Sequence, residues 1–72
     1  MQKDILLRKL GNRIRNIRIE KGLSQVDLAN SIGKDQQSIQ RLEKGNVNPT
    51  FYYLKEISQG LDVEITELLN KL

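Results

Sequence analysis

SQVDLANSIGKDQQSIQRLEKG, residues 24–45, decides how the rest of this chain is read. Two short helical patterns stand on either side of a glycine. The first opens at Ser24, a good N-cap, with acidic Asp27 three positions on, close to a capping box. Val26, Leu28, Ala29 and Ile32 supply its apolar side, and Gly33 stops it. The second opens at Gln36 behind Asp35 as N-cap, runs to about Lys44, and ends at Gly45. Its only aliphatic side chains are Ile39 and Leu42. The rest of it is Gln36, Gln37, Ser38, Gln40, Arg41 and Lys44, a polar face on a short helix.

Two short helices held at a fixed angle across a tight turn make specific demands on residue type. The fifth residue of the first helix faces the second and must be small; it is Ala29. The turn needs a residue that tolerates positive φ; it is Gly33. Later positions must be aliphatic to hold the angle; they are Ile39 and Leu42, with Leu28 and Ile32 completing the wedge. The demands are met together, so residues 25–44 read as a helix-turn-helix.

On the N-terminal side, residues 4–20 form a helical pattern, with Leu6, Leu10, Ile14 and Ile17 at spacings of three and four. Gly22 is suited to a left-handed C-terminal position. Gly11, inside this helix, either weakens it by about 1 kcal/mol relative to alanine or marks close contact with another backbone. On the C-terminal side, Asn46, Val47, Asn48 and Pro49 compose a loop, and Thr50 caps a fourth helix. Phe51, Leu54 and Ile57 are expected in its core. Gly60, Leu61 and Asp62 break it, and residues 65–72 form a fifth helix. The expectation is an all-α, five-helix fold in a single domain over residues 1–72.

Composition narrows the function. The chain of 72 residues has neither cysteine nor histidine, so disulfides, thiolate metal sites and the usual general base are excluded. Neither a metal nor a cofactor is expected, and no carboxylate pair suggests an enzyme. Ile5, Leu6 and Leu7 are too short an apolar run for a signal peptide, and no stretch approaches the roughly 20 apolar residues of a membrane span. The expected location is therefore the cytoplasm. The net charge of +3 is unevenly spread. Lys3, Arg8, Lys9, Arg13, Arg15, Arg18 and Lys21 stand against Asp4 and Glu20 in the first 21 residues, whereas Glu56, Asp62, Glu64 and Glu67 outweigh Lys55 and Lys71 after residue 50. A polyanion would meet the N-terminal half; the alternative is an ordinary solvated helix face.

The chain resembles the Cro/C1-type helix-turn-helix proteins, the XRE family. The resemblance is carried by Gly22-Leu23-Ser24-Gln25, Leu28-Ala29, Ile32-Gly33, Gln37-Ser38-Ile39, Leu42-Glu43-Lys44-Gly45, Asn48-Pro49 and Leu61-Asp62-Val63. The segment Gln36-Gln37-Ser38-Ile39 is similar to the recognition helix of certain lambdoid phage repressors. The resemblance implies a lambda-repressor-like domain that binds double-stranded DNA as a symmetric dimer.

A recognition helix presents its N-terminal residues to base edges in the major groove. Glutamine pairs with adenine N6 and N7, and arginine with guanine O6 and N7, so Gln36, Gln37 and Arg41 are the expected base contacts. On their own they would read as a solvated polar face. Ser24 and Gln25 at the start of the preceding helix suit a phosphate, and the resemblance implies phosphate contacts there and at Lys44, Asn46 and Asn48 after the recognition helix. Capping and turn chemistry are the competing roles for Ser24, Asn46 and Asn48. The resemblance implies a partly buried ion pair between Arg18 and Glu43. Leu61, Val63, Ile65, Leu68 and Leu69 are more than one small core needs, and some are expected at a two-fold interface. Lys34, Asp35, Asp62 and Glu64 depart from residues common in the family.

The expected function is a sequence-specific, dimeric transcriptional repressor or controller recognising a pseudopalindromic operator. The alternatives are an antitoxin-type subunit that also holds a toxin protein, and an interaction module that has lost DNA binding.

Overall fold

The structure, a computed structural model, describes residues 2–72. Five helices follow in chain order: α1 (Lys3–Glu20), α2 (Gln25–Ser31), α3 (Gln36–Glu43), α4 (Phe51–Leu61) and α5 (Ile65–Leu69). There is no strand among the described residues. The fold is all-α, as the periodicities predict.

The caps are those the sequence advertises. Ser24 Oγ accepts the Asp27 N–H, and Asp27 Oδ2 accepts the Ser24 N–H, closing the capping box of α2. Asp35 accepts the Ser38 N–H at the start of α3, and Thr50 accepts the Tyr53 N–H at the start of α4. The α2–α3 turn passes through Gly33 at φ +70°, where a side chain would be strained.

Leu10, Ile14 and Ile17 of α1, Leu28 and Ala29 of α2, Ile39 and Leu42 of α3, Leu54, Ile57 and Leu61 of α4, and Leu68 of α5 form one buried cluster. Every helix contributes, and no pair of helices would close this core alone. Gly11 is a point of close backbone approach. A Cβ built there would lie 2.4 Å from the Leu42 carbonyl oxygen and 2.5 Å from that of Glu43. Its missing side chain lets α1 press against the C-terminal end of α3.

The structure corrects several expectations. Phe51 is not core: it is 69% exposed, because the buried face of α4 starts one turn later, at Leu54. Leu6 likewise lies beyond the buried stripe of α1, and Val26 faces solvent. Gly60 does not break α4. It lies within the helix, where a Cβ would meet Ile32 Cγ2 and Leu28 Cδ1 at 2.8 Å, so it seats α4 against α2. The helix ends at Asp62, the last residue of the expected break, which adopts the left-handed conformation at φ 58°, ψ 46°. α5 stops at Leu69, before an extended Asn70 and a Lys71 at positive φ.

Candidate nucleic-acid interface

The polar residues of α3 share one solvent-facing surface. Gln36, Gln37, Gln40, Arg41 and Lys44 are all exposed, while Ile39, Leu42 and Glu43 are buried beneath them. The 3.6-residue period accounts for this division: positions 36, 37, 40, 41 and 44 fall on one arc and 39, 42 and 43 on the other. Gln40 stands four residues after Gln36 and three after Gln37, in the middle of the exposed arc. The sequence marks it only as part of the polar face. Its helical spacing from the two glutamines was the signal that it belongs with them.

A hydrogen-bonded chain runs from this surface into the core. Gln36 Nε2 donates to Gln25 Oε1 at 3.2 Å, and Gln25 Nε2 donates to Glu43 Oε1 at 3.0 Å. Glu43 in turn accepts from Arg18 Nε at 2.6 Å and Arg18 Nη2 at 3.0 Å. Arg18 Nη1 donates to the Leu23 carbonyl at 2.8 Å. The Arg18–Glu43 pair is bidentate and buried, with side-chain exposures of 10% and 2%. It joins α1, the α1–α2 turn and α3. Its hydrogen bond to Glu43, more than their charge attraction, raises the Arg18 pKa above its ordinary value against the opposing cost of burial. Gln25, expected at a phosphate, is half-buried and holds the α2–α3 junction through both ends of its amide.

The other expected phosphate contacts surround α3. Ser24 is exposed at the start of α2, its oxygen occupied by the cap but its hydroxyl proton uncommitted. Lys44, Asn46 and Asn48 are exposed on the segment after α3. Asp35 holds a negative charge beside the leading end of α3, and the backbone N–H of Ser38 keeps its carboxyl below the usual range.

Lys34 follows the turn where an aliphatic side chain is common in similar proteins. Its ammonium lies 5.7 Å from the centre of the Tyr53 ring and 3.8 Å from Glu56 Oε1. The lysine therefore brings its charge to an aromatic face and a carboxylate of α4. The Tyr53 hydroxyl is buried without a hydrogen-bond partner, and burial, with Glu56 and Asp35 adding to it, raises its pKa.

The residues expected at a two-fold interface divide. Leu61 and Leu68 are 1% and 0% exposed within a single copy, so they cannot also cover a partner; they complete the core between α4, α5 and α1. Val63 and Ile65 are half-buried, and Leu69 is 41% exposed.

With this geometry in place, comparison with known proteins identifies the class. Residues 14–68 match the helix-turn-helix family model HTH_3, and the chain belongs to that family. It carries the helix-turn-helix DNA-binding domain of a transcriptional regulator. It is 41% identical over 64 residues to the uncharacterized HTH-type transcriptional regulator y4dJ of Sinorhizobium fredii, a match spanning 88% of this chain and 83% of that protein. Several other curated relatives are longer, and the chain spans about half the length of these. Among solved structures, it is similar to the restriction–modification controller protein C.AhdI of Aeromonas hydrophila, with a TM-score of 0.84 and 37% identity over 86% of this chain and 94% of the other. It is also similar to the controller C.Esp1396I, solved as a tetramer in complex with its natural 35 base-pair operator, with a TM-score of 0.78 and 36% identity over 90% of this chain and 96% of that one. Among the described residues, no helix is long and apolar enough to cross a membrane.

Proposed function

We propose that this protein is a sequence-specific repressor or controller that binds duplex DNA as a homodimer, with α3 in the major groove. The observation that carries the reading is the exposed arc of Gln36, Gln37, Gln40 and Arg41, backed by the Gln36–Gln25–Glu43–Arg18 chain. Holding a side chain in place before it meets a base lowers the ordering cost of the contact, and Gln36 is held by a chain anchored in the core. Gln36, Gln37 and Arg41 take the base edges, with Gln40 beside them. Each well-formed bidentate pair discriminates by about 1–3 kcal/mol. Ser24, Lys44, Asn46 and Asn48 meet the flanking phosphates, which set register and make binding sensitive to salt, while Gln25 orients Gln36 from behind.

The two-fold contact is assigned to Val63, Ile65 and Leu69, the apolar residues around α5 that one copy leaves partly uncovered. Two recognition helices related this way read half-sites roughly 34 Å apart. The controller protein solved on its operator as a tetramer supports an assembly of more than one copy.

Selection of bound duplexes from a random pool at near-physiological salt tests the reading. An enriched pseudopalindrome whose preferences relax at single positions in Gln36→Ala, Gln37→Ala and Arg41→Ala is the expected outcome. A pool that stays random after several rounds overturns it.

A further inference from the structure

The N-terminal half of α1 lies outside the family-matched residues 14–68 and has no part in the interface described so far. It is nonetheless locked to the segment that leaves α3. A Cβ built on Gly45 would lie 2.8 Å from the backbone nitrogen and Cα of Arg8, so the two backbones are in direct contact. Between them runs an open groove of about 570 Å³, lined on the α1 side by Lys3, Asp4, Leu7 and Arg8 and on the loop side by residues 44–48. Lys3, Arg8 and Lys44 bring three cations to it against the single carboxylate of Asp4. No carboxylate among the described residues lies within ion-pair distance of these three, the ion pairs there being Arg18–Glu43 and Lys34–Glu56. The backbone N–H groups of Val47 and Asn48 donate to no protein acceptor among the described residues.

A cationic groove with free N–H donors, adjoining the helix that enters the major groove, fits an oxygen-rich anion held at that edge of the duplex. We propose that this groove receives the sugar–phosphate backbone flanking the bases read by α3. Lys3 and Arg8 thereby extend the DNA contact beyond the family-matched region. The inference rests on the duplex-binding reading above. Asp4 opposes the phosphate, and the net excess of positive charge at the groove decides the sign.

The test uses the full chain and the duplex recovered by selection. Each phosphate contact contributes about −0.9 to the slope of log K against log salt on B-DNA. The variant Lys3→Ala/Arg8→Ala is therefore expected to flatten that slope by about two. It should weaken binding by the same factor on the selected duplex and on a scrambled one, because phosphates carry no base sequence. Arg8→Lys with Lys3 intact keeps both charges and should retain the parent slope. Trimming the duplex at the flank should weaken the parent protein more than the double variant. An unchanged slope in the double variant, with binding and melting temperature intact, overturns the inference, as does equal sensitivity of both proteins to trimming. Failure of the parent protein to bind any duplex refutes the underlying DNA-binding reading instead, so the two failures are distinguishable.

Discussion

Replacing Glu43 with alanine removes the acceptor at the centre of the α1–α2–α3 junction. In the intact protein the Glu43 carboxylate takes two hydrogen bonds from Arg18 and one from Gln25. After the change, Arg18 keeps only its bond to the Leu23 carbonyl, and its charge stays buried beside a small cavity. Breaking a buried ion pair by deleting one partner costs about 3–5 kcal/mol. Arg18 retains some exposure, so the lower end, about 3 kcal/mol, is the appropriate figure. For a domain of this size, 1 kcal/mol moves the midpoint by about 4–8 °C. The melting temperature of Glu43→Ala should therefore fall by roughly 12–24 °C in a calorimetric or far-ultraviolet dichroism melt. Arg18→Met/Glu43→Leu removes both charges and keeps most of the volume, so it should recover most of that loss. DNA affinity need not recover with it, because Gln25 loses the acceptor that orients it toward Gln36. A melting temperature within about 2 °C of the parent for Glu43→Ala would refute the claim that this pair holds the junction.

Four further outcomes are expected. Gly11→Ala gains about 1 kcal/mol of helix propensity but drives a Cβ into the Leu42 and Glu43 carbonyls, so it should lower stability in urea by about 1–3 kcal/mol; a neutral result would mean α1 can move away from α3. Asp62→Gly relieves the left-handed residue that ends α4, and should stabilise by roughly 0.5–1 kcal/mol, the penalty of about 1–2 less the chain-entropy cost of glycine. Leu69→Glu places a charge at the proposed two-fold contact and should give a monomeric mass by sedimentation without unfolding the chain; an unchanged dimer would locate the contact elsewhere. Asp27 and Asp35 have carboxyl pKa values lowered chiefly by backbone N–H groups, so their contribution to stability is complete above the unfolded carboxylate value of about 3.9 and lost as pH falls through the lower folded values. Melting temperatures of Asp27→Asn/Asp35→Asn should accordingly fall less steeply than the parent's below about pH 4, and parallel curves would assign the acid loss to other groups.

Local chemistry made much of this protein legible before folding was considered. Ser24, Asp35 and Thr50 announce helix starts because their side chains bond N–H groups only three residues away, an interaction that sequence distance alone defines. Ala29, Gly33, Ile39 and Leu42 announce the two-helix unit because its turn and its angle constrain residue type at fixed offsets. The arc of Gln36, Gln37 and Arg41 follows from helical period. The Arg18–Glu43 pair, 25 positions apart, was legible only through likeness to similar repressors.

Tertiary structure decided the rest, because burial and contact depend on where each helix ends relative to its neighbours. Periodicity put Phe51 on the same side of α4 as Leu54, but the core stops at Leu54 and leaves Phe51 in solvent. It marked Leu61 and Leu68 as apolar, and only packing showed that one copy consumes both while leaving Val63, Ile65 and Leu69 partly uncovered. Gly60 has the composition of a helix breaker, yet the close approach of α2 makes it a packing position. The groove between Arg8 and Gly45 joins residues more than thirty positions apart, and no local rule brings them together. Sequence by itself determined the helices, their caps and the polar arc of α3, which depend on neighbours along the chain; the core boundary, the junction chain and the groove beside Gly45 depend on neighbours in space.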